Sequence, residues 1–148
     1  MAAKMTDYGN NIAGLKRALR SLPKETKTSL TDASKDIAED VASDARALAS
    51  GLGMGWTYLA PTIRASRSSI PDVKMGGKRK IPGRKGSRQT VGDLLWGLEF
   101  GGGARPETRQ FMPHRGQEGY ALWPTVRARS EDTGRRYGDA LAEALRSI

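Results

Sequence analysis

Few residues in this 148-residue chain could carry catalytic or metal chemistry. His114 is the only histidine and there is no cysteine, so a histidine pair for a metal, a thiolate ligand and a cysteine nucleophile are all unavailable. The glycines at 51, 53 and 55 lack the spacing of a dinucleotide-binding fingerprint, and no glycine-lysine-serine or glycine-lysine-threonine sequence supplies a phosphate loop. We therefore predict no cofactor and no metal ion.

Glu99 is the carboxylate that could be imagined as a general acid, because it lies between Leu98 and Phe100. A general acid needs a base, nucleophile or metal beside it, and the sequence offers none that can be argued for. We predict that Glu99 is a structural carboxylate at the end of a strand, paired with Arg105 or Arg109, and that the protein is not an enzyme.

The net charge of +9 is concentrated in the centre of the chain, where residues 51–100 hold nine basic and three acidic side chains. Residues 74–88, hereafter the basic loop, contain seven cations, four glycines and no acid. The loop is predicted to be flexible, and it is either a solvated segment without a specific partner or a non-specific contact to duplex DNA. It has no aromatic residue for base stacking, which disfavours single-strand recognition. Its cations are Lys74, Lys78, Arg79, Lys80, Arg84, Lys85 and Arg88.

Two amphipathic helices are predicted in the first third of the chain. Apolar residues recur at spacings of three and four over residues 5–22 and, more regularly, over Thr31–Ala49, followed by glycine at 51. Asp36, Asp40 and Asp44 form a row beside the apolar stripe of the second helix. The row is either a solvated face or a docking seam for basic side chains of a neighbouring subunit.

Strands and a last helix are predicted in the remainder. We expect an edge strand over 62–70, a central strand in the later part of 90–100, with a helical turn over 93–98 as the alternative, and an edge strand over 119–126. Ser130 is the predicted N-cap of a final helix reaching Ile148. Trp56, Trp96 and Trp123 are all expected as core or half-core anchors. Trp56 is the exception that could mark an interface, because it follows three glycines in an expected surface turn.

These elements make one α+β domain over residues 1–148, with two main helices packed on a short antiparallel sheet. The glycines at 101–103 and the prolines at 106 and 113 add an extended arm over 101–113. No stretch approaches the ~20 apolar residues that a membrane span requires, so we expect no membrane contact.

The order of short motifs resembles the neck proteins, also called tail-completion proteins, of long-tailed double-stranded DNA bacteriophages. The resemblance rests on the helix over 31–49, Ala60-Pro61 before a strand, an apolar strand ending in Glu99-Phe100-Gly101, then Phe111-Met112-Pro113 and a C-terminal helix over 130–148. It covers most of the chain. Family members often carry Thr-Gly-x-Leu before the first strand, where this chain has Thr57-Tyr58-Leu59.

The resemblance implies a structural virion protein of the head–tail junction, which joins tail to head and surrounds the DNA channel. It implies a homo-oligomeric ring of roughly six subunits, or twelve, between adjacent head-completion and tail-terminator or tail-tube rings. Such a protein is located in the virion and, during assembly, in the host bacterial cytoplasm. The basic loop would contact double-stranded DNA non-specifically or an adjoining ring. Subunit contacts are expected at Asp36, Asp40, Asp44, Trp56, Glu99, Phe100, Phe111 and Pro113.

The charge pattern also permits a second function class. A free-standing basic protein that binds nucleic acid non-specifically would have a comparable isoelectric point, here about 10.2. A dedicated binder usually spreads its cations over a folded face, whereas this chain concentrates them in one loop.

Overall fold

A computed structural model describes residues 5–53, 55–81, 86, 88–102 and 111–148, with side chains from residue 12 onward. The described part is dominated by helices and contains one two-stranded antiparallel sheet, which confirms the α+β class in this coarse form. In chain order the elements are α1 (Met5–Arg20), α2 (Lys24–Ser50), α3 (Trp56–Leu59), a 3₁₀ turn (Ala60–Thr62), β1 (Arg64–Ala65), β2 (Val73–Lys74), a second 3₁₀ turn (Val91–Leu94), α4 (Leu95–Phe100) and α5 (Leu122–Arg146).

Helix α2 is the centre of the fold and is longer than the sequence predicts. It begins directly after Pro23, whose φ of −52° suits a helix entry, and it ends at Gly51. Its buried stripe contributes to two apolar clusters. The larger cluster joins the second half of α2 to α3, α4 and the start of α5, and the smaller one joins the first half of α2 to the ends of α1 and α5.

The predicted strand over the later part of 90–100 is wrong, and the helical alternative describes this segment. Thr90 and Asp93 form a capping box, in which each side chain accepts a hydrogen bond from the other residue's backbone N–H. That box starts the second 3₁₀ turn, which continues directly into α4. The apolar run from Val91 to Phe100 therefore folds as a 3₁₀ turn followed by α4, and both pack on the larger cluster.

The predicted edge strand over 119–126 is also wrong, because α5 begins at Leu122. Pro124 lies in the first turn of α5, where a missing backbone N–H removes no helical hydrogen bond. Ser130 is inside the helix instead of at its N-cap, and its hydroxyl donates to the Arg127 carbonyl at 2.9 Å. The predicted strand over 62–70 is reduced to β1, which pairs Arg64 with Lys74 of β2.

None of the helices that the structure describes has both the length and the apolar character needed to cross a bilayer.

Acid should weaken the start of the second 3₁₀ turn. Hydrogen bonds from the backbone N–H and the hydroxyl of Thr90 hold the pKa of Asp93 below its ordinary value of 3.8. Because the folded-state pKa is depressed, the stabilisation is complete above pH 3.8 and is lost as pH falls through the folded-state value. We expect Asp93→Asn to remove this part of the acid-side decline in the free energy of unfolding, measured by urea denaturation across that range. The control is Glu118→Gln at an exposed carboxylate; equal acid-side declines in wild type and Asp93→Asn would contradict the prediction.

Candidate functional site

Backbone hydrogen bonds join the first part of the basic loop to the residues that follow it. The backbone N–H groups of Val91 and Gly92 donate to the carbonyls of Arg79 at 2.8 Å and Gly77 at 3.0 Å, and Lys80 pairs with Thr90 in an antiparallel bridge. We call residues 76–80 and 90–92 the loop base. Ile81 and Val91 are buried in the larger apolar cluster and anchor the loop base there. The backbone that carries its cations is therefore held in place.

Glycine permits the two sides of the loop base to approach closely. A Cβ added to Gly92 would lie 2.8 Å from the Gly77 carbonyl oxygen, closer than side-chain carbons come to such atoms. Gly76 adopts a positive φ of 88° and donates its N–H to the Thr62 hydroxyl at 2.8 Å. These contacts fix the base to the 3₁₀ turn that precedes β1.

The described cations of the basic loop are exposed and form no ion pair among the described residues. Within the described residues, no carboxylate lies in salt-bridge range of any of the five cations that the structure places, while Arg84 and Lys85 fall outside the described residues. An uncompensated cluster of this kind favours a polyanionic ligand. The five placed cations are Lys74, Lys78, Arg79, Lys80 and Arg88.

The tryptophans differ from their predicted exposure at Trp56 and Trp96. Trp56 is fully buried at 0% exposure, so the predicted surface turn is wrong there, and its Nε1 has no hydrogen-bond partner among the described residues. Trp96, expected as a core or half-core anchor, is 71% exposed, whereas Trp123, with the same expectation, is half-exposed at 46%. Trp96 stacks on Phe100 with ring centroids 5.6 Å apart and an interplanar angle of 19°. Exposed indole surface is therefore found on α4 and at the start of α5.

Glu99 is only 1% exposed and holds the N-terminus of α5. Its Oε1 accepts a hydrogen bond from the Trp123 N–H at 2.8 Å, and its Oε2 accepts from Leu122 at 3.1 Å and Ala121 at 3.3 Å. Helix α5 has no side-chain cap of its own, so a carboxylate from α4 satisfies these N–H groups. The predicted partners Arg105 and Arg109 lie outside the described residues.

The acidic row on α2 contacts basic residues of the same chain. Arg136 of α5 binds Asp40 at 2.6 Å, and Arg129 binds Asp44 at 2.5 Å. The hydrogen bond to Asp44 is the main cause that raises the pKa of the Arg129 guanidinium above its ordinary value. Asp36 remains exposed and has no ion pair among the described residues. Two of the three carboxylates are thus engaged in aligning α5 with α2.

The described ends of the arm pack against α4. The Phe111 ring lies on Gly97, where an added Cβ would be 2.5 Å from the ring, and also on Gly102. Gly102 forms a bridge with Pro113, whose carbonyl accepts the Tyr120 hydroxyl at 2.6 Å. Phe111 is half-buried and Pro113 is exposed. The arm residues 103–110 lie outside the described residues.

Sequence reasoning missed the exposure of Trp96 and the ion pairs that Arg129 and Arg136 form with the acidic row. Arg129 and Arg136 are seven residues apart, which is about two turns and one face of a helix, and this spacing could have matched them with the acidic row. Trp96 had no such local signal, because its exposure depends on which face of α4 packs on the core.

In comparisons with known proteins, no family model matches the chain, and no curated protein and no solved structure matches it.

Proposed function

We propose that the protein is a structural component of the head–tail junction of a long-tailed double-stranded DNA bacteriophage. In this proposal it forms a neck or tail-completion ring that joins tail to head and surrounds the DNA channel. The observation that carries the proposal is the row of exposed, unpaired cations on an anchored loop base. Repeated around a ring, such cations neutralise phosphates without reading a sequence, as a passing duplex requires.

The motif order that resembles the neck proteins supports the same proposal. Ala60-Pro61 precedes β1, and a long helix closes the described chain. Glu99-Phe100-Gly101 departs from the resemblance, because it ends the helix α4 where the neck proteins have a strand. The resemblance favours a ring of roughly six subunits, with twelve as the alternative, placed between head-completion and tail-terminator or tail-tube rings. The protein would be located in the virion, and in the host cytoplasm during assembly.

The finer features of the proposal concern the basic loop and the arm. The glycine-rich basic loop over 74–88 lines the channel or contacts an adjoining ring, and the extended arm over 101–113 contacts a neighbouring subunit. Phe100, Phe111 and Pro113 are the described residues available to that contact. Trp56 and Glu99 are buried within the chain, so they support assembly only through the fold.

An apolar groove of about 510 Å³ lies between α2, the β1–β2 pair and α5, and supports a subunit contact. Exposed apolar surface of this kind commonly marks an interface. Half-exposed Trp123 lies in the groove beside Val126, opposite Val73. Because Asp40 and Asp44 already bind arginines of their own chain, the groove is a better candidate than the acidic row for the ring contact.

The proposal is tested by light-scattering mass and negative-stain imaging of the full chain over a range of concentrations. We expect closed rings with a central hole wide enough for a duplex. Trp123→Ser should lower the assembled fraction while leaving the helical circular dichroism signal unchanged, because the side chain is half-exposed. Tyr58→Ser, at an exposed aromatic residue outside the groove, is the matched control. A monomer at every concentration would contradict a self-assembling ring.

A free-standing protein that binds nucleic acid non-specifically is the second candidate, and the exposed cations favour it equally. It differs from the ring in needing no assembly. A monomer that binds duplex DNA with a steep salt dependence would favour this candidate over the ring.

A further inference from the structure

We propose that Trp96 and the cations of the loop base form a binding site for single-stranded nucleic acid. In this site a base stacks on the indole of Trp96, and neighbouring phosphates lie against Lys78, Arg79 and Lys80. The inference goes beyond the proposed ring, which needs only duplex contact, and it does not depend on assembly.

The fold brings an aromatic side chain to a loop that has none of its own. Gly92 donates its N–H to the Gly77 carbonyl at 3.0 Å, and a Cβ added to Gly76 would lie 3.2 Å from Cδ1 of Leu95. Trp96 follows Leu95 directly. The first turn of α4 therefore lies beside Gly76 and Gly77, the two residues that precede Lys78. That proximity is within the few nucleotides that a small single-strand site covers.

The Trp96 indole is held in place and is still accessible. Phe100, one helical turn further on, stacks against it at 5.6 Å. Nevertheless 71% of Trp96 is exposed, so the ring retains free surface for a second aromatic group. An indole already ordered by a neighbour loses little conformational entropy when a base stacks on it.

Charge complementarity decides between a base and a protein side chain as the ligand. The cations Lys78, Arg79 and Lys80 have no carboxylate in salt-bridge range within the described residues, so the surface attracts a polyanion. A duplex would offer phosphates but would keep its bases stacked inside. A single strand offers both groups, and aromatic stacking together with a basic surface is the usual arrangement in such sites.

The site is tested with the full chain and three probes of about 12 nucleotides, namely a dT strand, an rU strand and a dT·dA duplex. Binding is measured by fluorescence anisotropy of labelled probes at several salt concentrations. We expect both single strands to bind more tightly than the duplex, and the dT and rU probes separate DNA from RNA as the source of the strand. Intrinsic tryptophan fluorescence should be quenched when a strand binds.

Two sets of substitutions separate stacking from charge. Trp96→Ala should weaken single-strand binding about tenfold and abolish the quenching, with the salt slope unchanged. Changing Lys78, Arg79 and Lys80 together to serine should reduce the salt slope by about 2. Tyr58→Ala, at an exposed aromatic residue that is not part of the proposed site, should bind as wild type.

Equal single-strand affinity and quenching in wild type and Trp96→Ala, with both variants folded by circular dichroism, would overturn the site. A Trp96→Ala variant that loses rings but binds strands normally would also overturn it, and would assign Trp96 to a subunit contact. Absence of rings in every variant would contradict the proposed function and would leave the single-strand result valid by itself.

Discussion

Replacement of Glu99 by alanine is expected to lower the free energy of unfolding by about 3–5 kcal/mol, the largest effect of any polar substitution that we predict. The carboxylate accepts hydrogen bonds from three backbone N–H groups at the start of α5 and is almost fully buried. Without it these donors are left in an apolar environment, and the space of the side chain becomes a cavity. Urea denaturation followed by far-UV circular dichroism measures the loss.

Glu99→Gln gives a graded test of the same contacts. Its single carbonyl oxygen can replace Oε2 and keep the bonds from Ala121 and Leu122, but its amide then faces the N–H of Trp123. We expect about half the loss caused by alanine. Glu118→Ala removes an exposed carboxylate from the loop before α5 and is the matched control, with a change of about 0.5 kcal/mol or less. A Glu99→Ala variant as stable as this control would contradict the capping role.

The sequence predicted those elements whose signal is local. The stripe from Leu30 to Ala49 has helical spacing over many turns, and Gly51 stops it, so α2 was found with an error only at its start. That error arises because Pro23 permits helix entry earlier than the apolar stripe indicates. The α+β class is confirmed only through the short β1–β2 pair, because two of the three segments predicted as strands are helical.

The sequence did not determine the elements around Glu99. The apolar run from Val91 to Phe100 is too short for periodicity to separate a helix from a strand. The start of α5 is stabilised by a carboxylate more than 20 residues earlier in the chain, whereas Ser130 carries the local features of an N-cap. A pairing over that distance has no sequence signal, so the local pattern predicted the wrong start.

The sequence predicted the cations of the candidate site but did not predict its aromatic residue, Trp96. The cations at 74–80 are adjacent in sequence and could be read directly. Helix α4, which carries Trp96, begins beside the loop base only because Gly77 and Gly92 pack backbone to backbone, which a single sequence does not show. For the same reason, the acidic row was interpreted as either a solvated face or a docking seam for a neighbouring subunit. Two of its carboxylates instead bind Arg129 and Arg136 of α5.

Gly101→Ala is expected to destabilise the fold by about 3–5 kcal/mol, because two separate costs act at this position. Gly101 has a φ of +80°, which a residue with a Cβ rarely adopts. The new methyl group would also overlap the Pro113 carbonyl oxygen and lie 2.6 Å from its carbon and 2.7 Å from the Cα of His114. These are backbone atoms and cannot rotate away.

Gly116→Ala is the matched control, because Gly116 has a similar φ of +61° but no atom within 4 Å of an added Cβ. It should cost only about 1 kcal/mol, the conformational part alone. The difference between the two variants in urea denaturation therefore isolates the contact between α4 and Pro113. Equal losses would mean that this backbone can shift to admit a methyl group, and the described ends of the arm would then be free to move relative to α4. A larger loss at Gly101 would fix those ends to the core and would restrict any subunit contact by the arm to the residues between them.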